Sequence, residues 1–216
     1  MEKHDFKKLY ISISALLAFV LWTLAVCYID VRAIGPLGSS VGFSSVNAFI
    51  HRLTGEHLML YYITDWLGLV PIFVVSGFAL LGLLQWIKRK SLRRVDHSLF
   101  ILGGFYIAVM AAYLLFEVVP INYRPLLIDG ALEASYPSST TLLVMSVMPA
   151  AIDQFNGRIK NKSLRKWISI LIGVFVSFMV LARLISGVHW FTDIVGGVLI
   201  SVGLVMMYRY FLSLEG

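Results

Sequence analysis

Long apolar runs, separated by short polar and basic stretches, dominate the chain. A helix needs about 20 residues to cross the roughly 30 Å of hydrocarbon in a bilayer. Six runs approach that length, near residues 9–29, 64–86, 98–119, 138–156, 167–187 and 190–213. We therefore predict an all-α membrane protein with six transmembrane helices in one bundle, as a single domain over residues 1–216.

Most of the 18 basic residues cluster between these runs, on what would be one side of the membrane. That set comprises Lys3, Lys7, Lys8, Lys88, Arg89, Lys90, Arg93, Arg94, Arg158, Lys160, Lys162, Arg165, Lys166 and Arg209. Because cytoplasmic loops carry an excess of Lys and Arg, we predict a plasma-membrane protein with both termini in the cytoplasm. A cleaved signal sequence is the alternative for the first run, whose length favours a retained span.

Composition supports a membrane protein and narrows its partners. Hydrophobic residues make up 59% of the chain and charged residues 14%, with a mean hydropathy of +0.84, which is far more apolar than a water-soluble domain. The net charge of +6 lies in clusters that act as topology signals, so membrane lipids are expected partners and nucleic acid is not. A single cysteine, Cys27, excludes an intrachain disulfide and a cysteine-ligated metal site.

One connection is long, from about residue 30 to residue 63 on the outer side. Apolar residues recur there with helical spacing at Val46, Phe49, Ile50 and Leu53, preceded by serines and followed by Gly55 as candidate caps. This pattern predicts a short helix in the outer membrane interface. An ordered loop packed on the bundle is an equally open interpretation.

Polar residues at the outer ends of the runs are the candidates for chemistry. They are Glu117, Arg124, Ser138, Ser139, Thr140, Arg183, His189 and Asp193. Ionisable groups at such depth are costly, so they pair, bind a ligand or do chemistry. The alternative for each one alone is an interfacial residue, such as an arginine that snorkels to the lipid headgroups.

The spacing of Arg183, His189 and Asp193 favours catalysis. If the last segment is helical, His189 and Asp193 form an i, i+4 pair on one face. A carboxylate can then hold the proton of one ring nitrogen and leave the other nitrogen free to attack. This arrangement of His189 and Asp193 is what a histidine nucleophile needs.

A phosphate-binding cradle is predicted beside it. Ser138, Ser139 and Thr140 follow Pro137 at the start of the fourth run, and a helix N-terminus with free N–H groups favours an anion. The guanidinium groups of Arg124 and Arg183 match phosphate geometry.

These residues resemble the motifs of the type 2 phosphatidic acid phosphatases, a family of six-helix membrane enzymes. The third family motif is matched at Arg183, His189 and Asp193, with Ala182 in place of a serine. The resemblance extends from about residue 60 to the end of the chain. It implies hydrolysis of a lipid phosphate or diphosphate from the outer leaflet through a phosphohistidine on His189, without a metal or other cofactor.

The first and second motifs are only partly matched. Arg124-Pro125 and Pro137-Ser138 are kept, whereas Glu117 replaces the family's lysine, and Ser139 and Thr140 replace its glycine and histidine. In the family that histidine protonates the leaving group, which Thr140 cannot do. A protonated Glu117 could replace this acid, or Glu117 could form an ion pair with Arg124 or Arg183.

Three functions remain open at this point. The first is an outward-facing lipid phosphatase, for which a polyprenyl diphosphate is a candidate substrate. The second is a lipid-to-lipid phosphotransferase. The third is a protein of the same fold that binds or transports a lipid phosphate with little or no turnover. The sequence leaves the lipid and the oligomeric state open.

Overall fold

The computed structural model describes residues 3–214, and the described chain is helical, with isolated β-bridges but no named strand. Its α-helices are α1 (Lys3–Tyr28), α2 (Ser44–Thr54), α3 (Leu58–Leu67), α4 (Leu69–Arg89), α5 (His97–Val118), α6 (Ser139–Arg158), α7 (Lys162–Ile185) and α8 (Phe191–Ser213). Short 3-10 turns lie at Pro36–Gly38 and Leu92–Arg94. The predicted all-α class is confirmed.

Five helical segments within the described residues are long and apolar enough to cross a membrane. They are Phe6–Tyr28, Leu58–Arg89, His97–Val118, Lys162–Ile185 and Phe191–Ser213. The second combines α3 and α4, so it begins at Leu58 rather than near residue 64 as predicted. The run Leu58-Met-Leu-Tyr-Tyr-Ile extends the apolar character of α4 outward, which explains the earlier start.

Helix α6 corresponds to the predicted span at 138–156, but it is not one of those five segments. It contains Pro149 and the polar residues Asp153 and Gln154, and ten of its 20 residues are buried. A helix surrounded by other helices faces little lipid, so it can carry polar side chains that satisfy one another. The central position of α6 thus accounts for its weaker hydropathy.

Close packing joins α1 to α8. The hydroxyl of Ser12 donates to the backbone oxygen of Gly203 at 2.7 Å. A Cβ added at Gly203 would lie 2.6 Å from Cδ2 of Leu16, so a larger residue there would force the Leu16 side chain to move, and the glycine allows a close approach of the helices. Farther along α1, the Trp22 indole donates to the backbone oxygen of Thr192 at 3.1 Å, which fixes the first turn of α8.

The amphipathic segment of the long connection between α1 and α3 forms α2. Its first turn is capped by Asp30, whose Oδ2 accepts from the Ser45 backbone at 2.7 Å, and not by a serine side chain as predicted. Gly55 ends the helix as predicted, with its N–H donated to the His51 oxygen at 2.8 Å. Buried Asn47 bonds to Thr192 at 3.0 Å, so α2 packs on the start of α8.

Candidate active site

The turn between α7 and α8 carries the predicted nucleophile. His189 is 3% exposed and Asp193 is fully buried. His189 precedes α8, so the two residues do not share a helix face as predicted. They meet because the Asp193 carboxylate folds back over the first turn, where Oδ2 accepts from the Trp190 backbone at 2.9 Å and lies 3.8 Å from Nδ1 of His189.

A second set of contacts holds Asp193 in place. The side-chain amide of Asn122, in the loop between α5 and α6, donates to Asp193 Oδ1 at 3.2 Å. The backbone N–H of Ser138 donates to the backbone oxygen of Asp193 at 3.0 Å. These bonds tie the loop, the start of α6 and the start of α8 together. The side-chain role of Asn122 has no signal in the sequence beyond its place beside Arg124.

Arg183 lies in the last turn of α7 and is 2% exposed. Its Nη2 donates to the hydroxyl of Thr140 and, at 3.3 Å, to Oδ1 of Asp65 on α3. The side chain of Asp65 is 58% exposed. Sequence reasoning missed Asp65, whose only signal was an isolated carboxylate near the start of the second apolar run.

Arg124 completes the pair of guanidinium groups. Its Nε lies 3.0 Å from Glu133 Oε2, across the loop between α5 and α6. Its Cζ is 5.6 Å from the ring centroid of Tyr61, and the Cζ of Arg183 is 5.0 Å from the same centroid. An aromatic face attracts cations, so Tyr61, which sequence reasoning also missed, holds two like charges near one another.

Several buried nitrogens of this site make no hydrogen bond of regular geometry within residues 3–214. They are Nε and Nη1 of Arg124, Nε and Nη1 of Arg183, and both ring nitrogens of His189. Of these, Arg124 Nε is close to a carboxylate, at 3.0 Å from Glu133 Oε2, but without hydrogen-bond geometry. Buried polar groups are ordinarily paired, so such a set is suited to an external acceptor with several oxygens. The described chain has no cluster of three or more His, Cys, Asp or Glu side chains that could hold a metal ion.

The first turn of α6 contributes Ser138, Ser139 and Thr140. The Ser138 hydroxyl is an N-cap, which accepts from Thr141 N at 3.4 Å and from Thr141 Oγ1 at 3.1 Å. Thr140 holds Arg183, as described above, while Ser139 is partly exposed. Thr140 is thus the member of this turn with a described contact to the arginine, and the hydroxyls of Ser138 and Thr140 are already bonded within the protein.

Glu117 stands apart from the arginines. It is exposed near the end of α5 and lines a cavity of about 20 Å³ with Ser135 and Ser139. The alternative, an ion pair between Glu117 and Arg124 or Arg183, is absent from the described contacts, in which these arginines pair with Glu133 and Asp65. The role of Glu117 as an acid stays a prediction.

The electrostatic surroundings favour a neutral His189. Burial lowers the pKa of the imidazole well below 6.5, and the charges of Arg124 and Arg183 lower it further, against a smaller opposing effect of the Ser135 backbone. A neutral ring keeps a lone pair on one nitrogen, which a nucleophile requires.

A groove of about 390 Å³ leads from this site along α3, α4, α5 and α6. Polar groups line it at Asp65, Ser139 and Thr140, and apolar side chains line the rest, including Ile72 and Met110. Its shape and lining match a ligand with a polar head and an apolar tail.

The helices and the buried site define a multi-pass helical membrane protein. Its fold is similar to that of the crystal structure of the first transmembrane PAP2 type phosphatidylglycerolphosphate phosphatase from Bacillus subtilis, with a TM-score of 0.65 and 18% identity over 96% of this chain and 98% of that chain. The resemblance predicted from the motifs is thus confirmed at the level of the fold. No family model and no curated protein matches the sequence.

Proposed function

We propose that this protein is an outward-facing phosphatase that cleaves lipid phosphates or diphosphates through a phosphohistidine on His189. The observation that carries the proposal is the set of unpaired buried nitrogens on Arg124, Arg183 and His189. The two guanidinium groups offer donors to phosphoryl oxygens, and the imidazole beside them offers a lone pair to phosphorus.

The first chemical step is an in-line attack. His189 keeps its proton on Nδ1, toward Asp193, and attacks phosphorus with Nε2. The bond from phosphorus to the leaving oxygen breaks, and its electron pair departs with that oxygen. Asp193 stabilises the positive charge that develops on the ring. The phosphoryl oxygens accept hydrogen bonds from Arg124 and Arg183. They also accept hydrogen bonds from the first turn of α6, at Ser138, Ser139 and Thr140.

The second step releases phosphate. A water molecule attacks phosphorus, the bond from phosphorus to Nε2 breaks, and its electron pair returns to His189. The lipid part of the substrate occupies the groove beside Asp65, with its tail along the apolar lining. A membrane lipid can enter such a groove sideways while its tail stays in hydrocarbon.

The lack of an acid at Thr140 narrows the substrate class. A leaving alkoxide needs a proton in the transition state, and general acid catalysis is typically worth about 10²–10⁴-fold. A departing lipid monophosphate is a much weaker base, so lipid diphosphates are the favoured substrates. If Glu117 supplies the acid instead, Glu117→Gln should slow monoester cleavage and leave diphosphate cleavage intact.

The proposal includes six membrane crossings and a site on the outer face of the plasma membrane. Crossing by α6 would place the loops that contain residues 88–94 and 158–166 on the cytoplasmic side. In a Cys27→Ser background, Asp129→Cys should react with an impermeant thiol reagent from outside, whereas Lys160→Cys should not. The reverse pattern would contradict the orientation and the outward-facing site.

The decisive experiment measures phosphate release from a panel of lipid mono- and diphosphates by the purified protein. We expect release from at least one diphosphate, an acid-labile phosphohistidine, and loss of both in His189→Ala. His57→Ala is the matched control, because the exposed His57 side chain bonds locally to the Thr54 backbone. Full turnover in His189→Ala would refute the assignment of His189 as the nucleophile.

The missing acid also favours a second candidate, a protein that binds or transports a lipid phosphate. If the protein only binds or transports its ligand, a phosphate analogue should bind saturably, and this binding should depend on Arg124 and Arg183. No lipid should then give rise to phosphohistidine. A phosphotransferase would instead form phosphohistidine and pass the group to an added lipid alcohol. The same panel, with and without an alcohol acceptor, separates the three functions.

A further inference from the structure

Asp65 lies at the junction of the arginine cradle and the apolar groove. Its Oδ1 and the hydroxyl of Thr140 accept from the same nitrogen, Nη2 of Arg183. The Asp65 side chain is 58% exposed and lines the groove together with Ser139 and Thr140. A carboxylate therefore stands next to the position from which the expected acid is missing.

The geometry of in-line displacement involves the groove side of the phosphorus in both chemical steps. The attacking and leaving groups lie on opposite sides of the phosphorus. Because His189 attacks in the first step, the lipid leaves from the groove side. In the second step His189 is the leaving group, so water must attack from that same side, at the place that the lipid has vacated.

We propose that Asp65 is the general base of the second step, an inference that rests on the proposed phosphatase function. Asp65 accepts a proton from the attacking water as its oxygen bonds to phosphorus. The bond from phosphorus to Nε2 of His189 breaks, and its electron pair returns to the ring. Asp65, whose side chain is 58% exposed, then passes the proton to a water molecule.

The charge of Asp65 suits it to one step only. An ionised carboxylate can accept a proton from water but holds none to donate to a departing alkoxide. The site is thereby equipped for hydrolysis of the phosphohistidine and not for protonation of a monoester leaving group, in keeping with a preference for lipid diphosphates.

The other carboxylates near the site are less suited to this role. Glu133 pairs with Arg124 in the loop between α5 and α6 and does not line the groove. Glu117 lines a small adjoining cavity that shares Ser139 with the groove, but Glu117 does not itself line the groove. Asp193 is fully buried behind His189, on the side of the ring away from the attacking water.

The test is Asp65→Asn with a radioactive lipid diphosphate. We expect the burst of phosphohistidine formation to remain, while steady-state turnover falls about 10²–10⁴-fold and phosphohistidine accumulates on most of the enzyme. Added formate, a small carboxylate, should restore part of the turnover. Asp65→Glu, which keeps the carboxylate, should retain more turnover than Asp65→Asn.

Glu133→Gln is the matched control, since it makes the same change beside the other arginine. It should not raise the level of phosphohistidine. The assignment of Asp65 would be overturned if Asp65→Asn turned over as fast as wild type or lost the burst itself. The proposed function would still stand in either case, provided that wild type forms phosphohistidine. Equal accumulation in Glu133→Gln would overturn it too. Absence of phosphohistidine from wild type with every lipid would overturn both proposals.

Discussion

Asp193→Asn tests the central pair of the proposed site. The substitution keeps the shape of the side chain but removes its charge. It also places an amide where two donors, Asn122 Nδ2 at 3.2 Å and the Trp190 N–H at 2.9 Å, now meet carboxylate oxygens. One of these donors must then face an NH₂ group, because an amide has only one oxygen.

The size of the effect follows from the distance to His189. As Nε2 attacks phosphorus the ring becomes positive, with Nδ1 3.8 Å from Asp193 Oδ2. Two unit charges at that distance attract by about 4 kcal/mol at an effective dielectric constant of about 20. That energy corresponds to about a 10³-fold slower phosphorylation step.

The assay is rapid-quench measurement of phosphohistidine formation from a radioactive lipid diphosphate. Asn122→Ala serves for comparison, because it removes one hydrogen bond to Asp193 and keeps the charge. A bond to a charged group is worth about 1.5–3 kcal/mol, so its effect should be smaller. A phosphorylation rate in Asp193→Asn within about threefold of wild type, against the calculated 10³, would refute the role of Asp193.

Three further predictions concern the acid, the turn and the pH profile. Thr140→His should raise turnover of a lipid monoester by up to about 10²–10⁴-fold and change diphosphate turnover little; equal gains on both substrates would contradict the missing-acid argument. Gly187→Ala should lower the free energy of unfolding by more than the cost of a left-handed backbone alone, which is about 1–2 kcal/mol, because φ is +73° and the new Cβ would also lie 2.3 Å from the Gly55 oxygen. Gly130→Ala, at φ +78° with open space around the new Cβ, is the control. Equal losses of stability for the two variants in chemical denaturation would refute the contact with Gly55. Because burial and two arginines lower the pKa of His189 below 6.5, its neutral form should persist as the pH falls through 6.5; an NMR titration of the His189 ring with a midpoint above 6.5 would show that the ring is not buried as described.

Much of the architecture could be predicted from the sequence, because it depends on local patterns. A run of about 20 apolar residues must form a helix in lipid, where every backbone group needs an internal partner. The helical spacing from Val46 to Leu53 likewise indicated α2. The six predicted runs correspond to long helices, five of which meet the length and hydropathy of a membrane span.

Polar residues of the site could be predicted only as candidates. The motif spacing pointed to His189 and Asp193, but the contact between them comes from a capping turn rather than a shared helix face. Helical periodicity could not reveal this, since a side chain that folds back on the preceding backbone follows no repeat. The cap of α2 by Asp30 was missed for a similar reason.

The partners of the arginines were decided by tertiary structure alone. Arg183 meets an aspartate 118 residues away in the chain, and Tyr61 joins it to Arg124. Hydropathy places Arg183, Asp65 and Tyr61 on their own helices and Arg124 in a loop, but says nothing of which helices are neighbours or how each is rotated. Those two quantities depend on side-chain packing across the whole bundle, and they bring Asp65 to the groove beside Thr140.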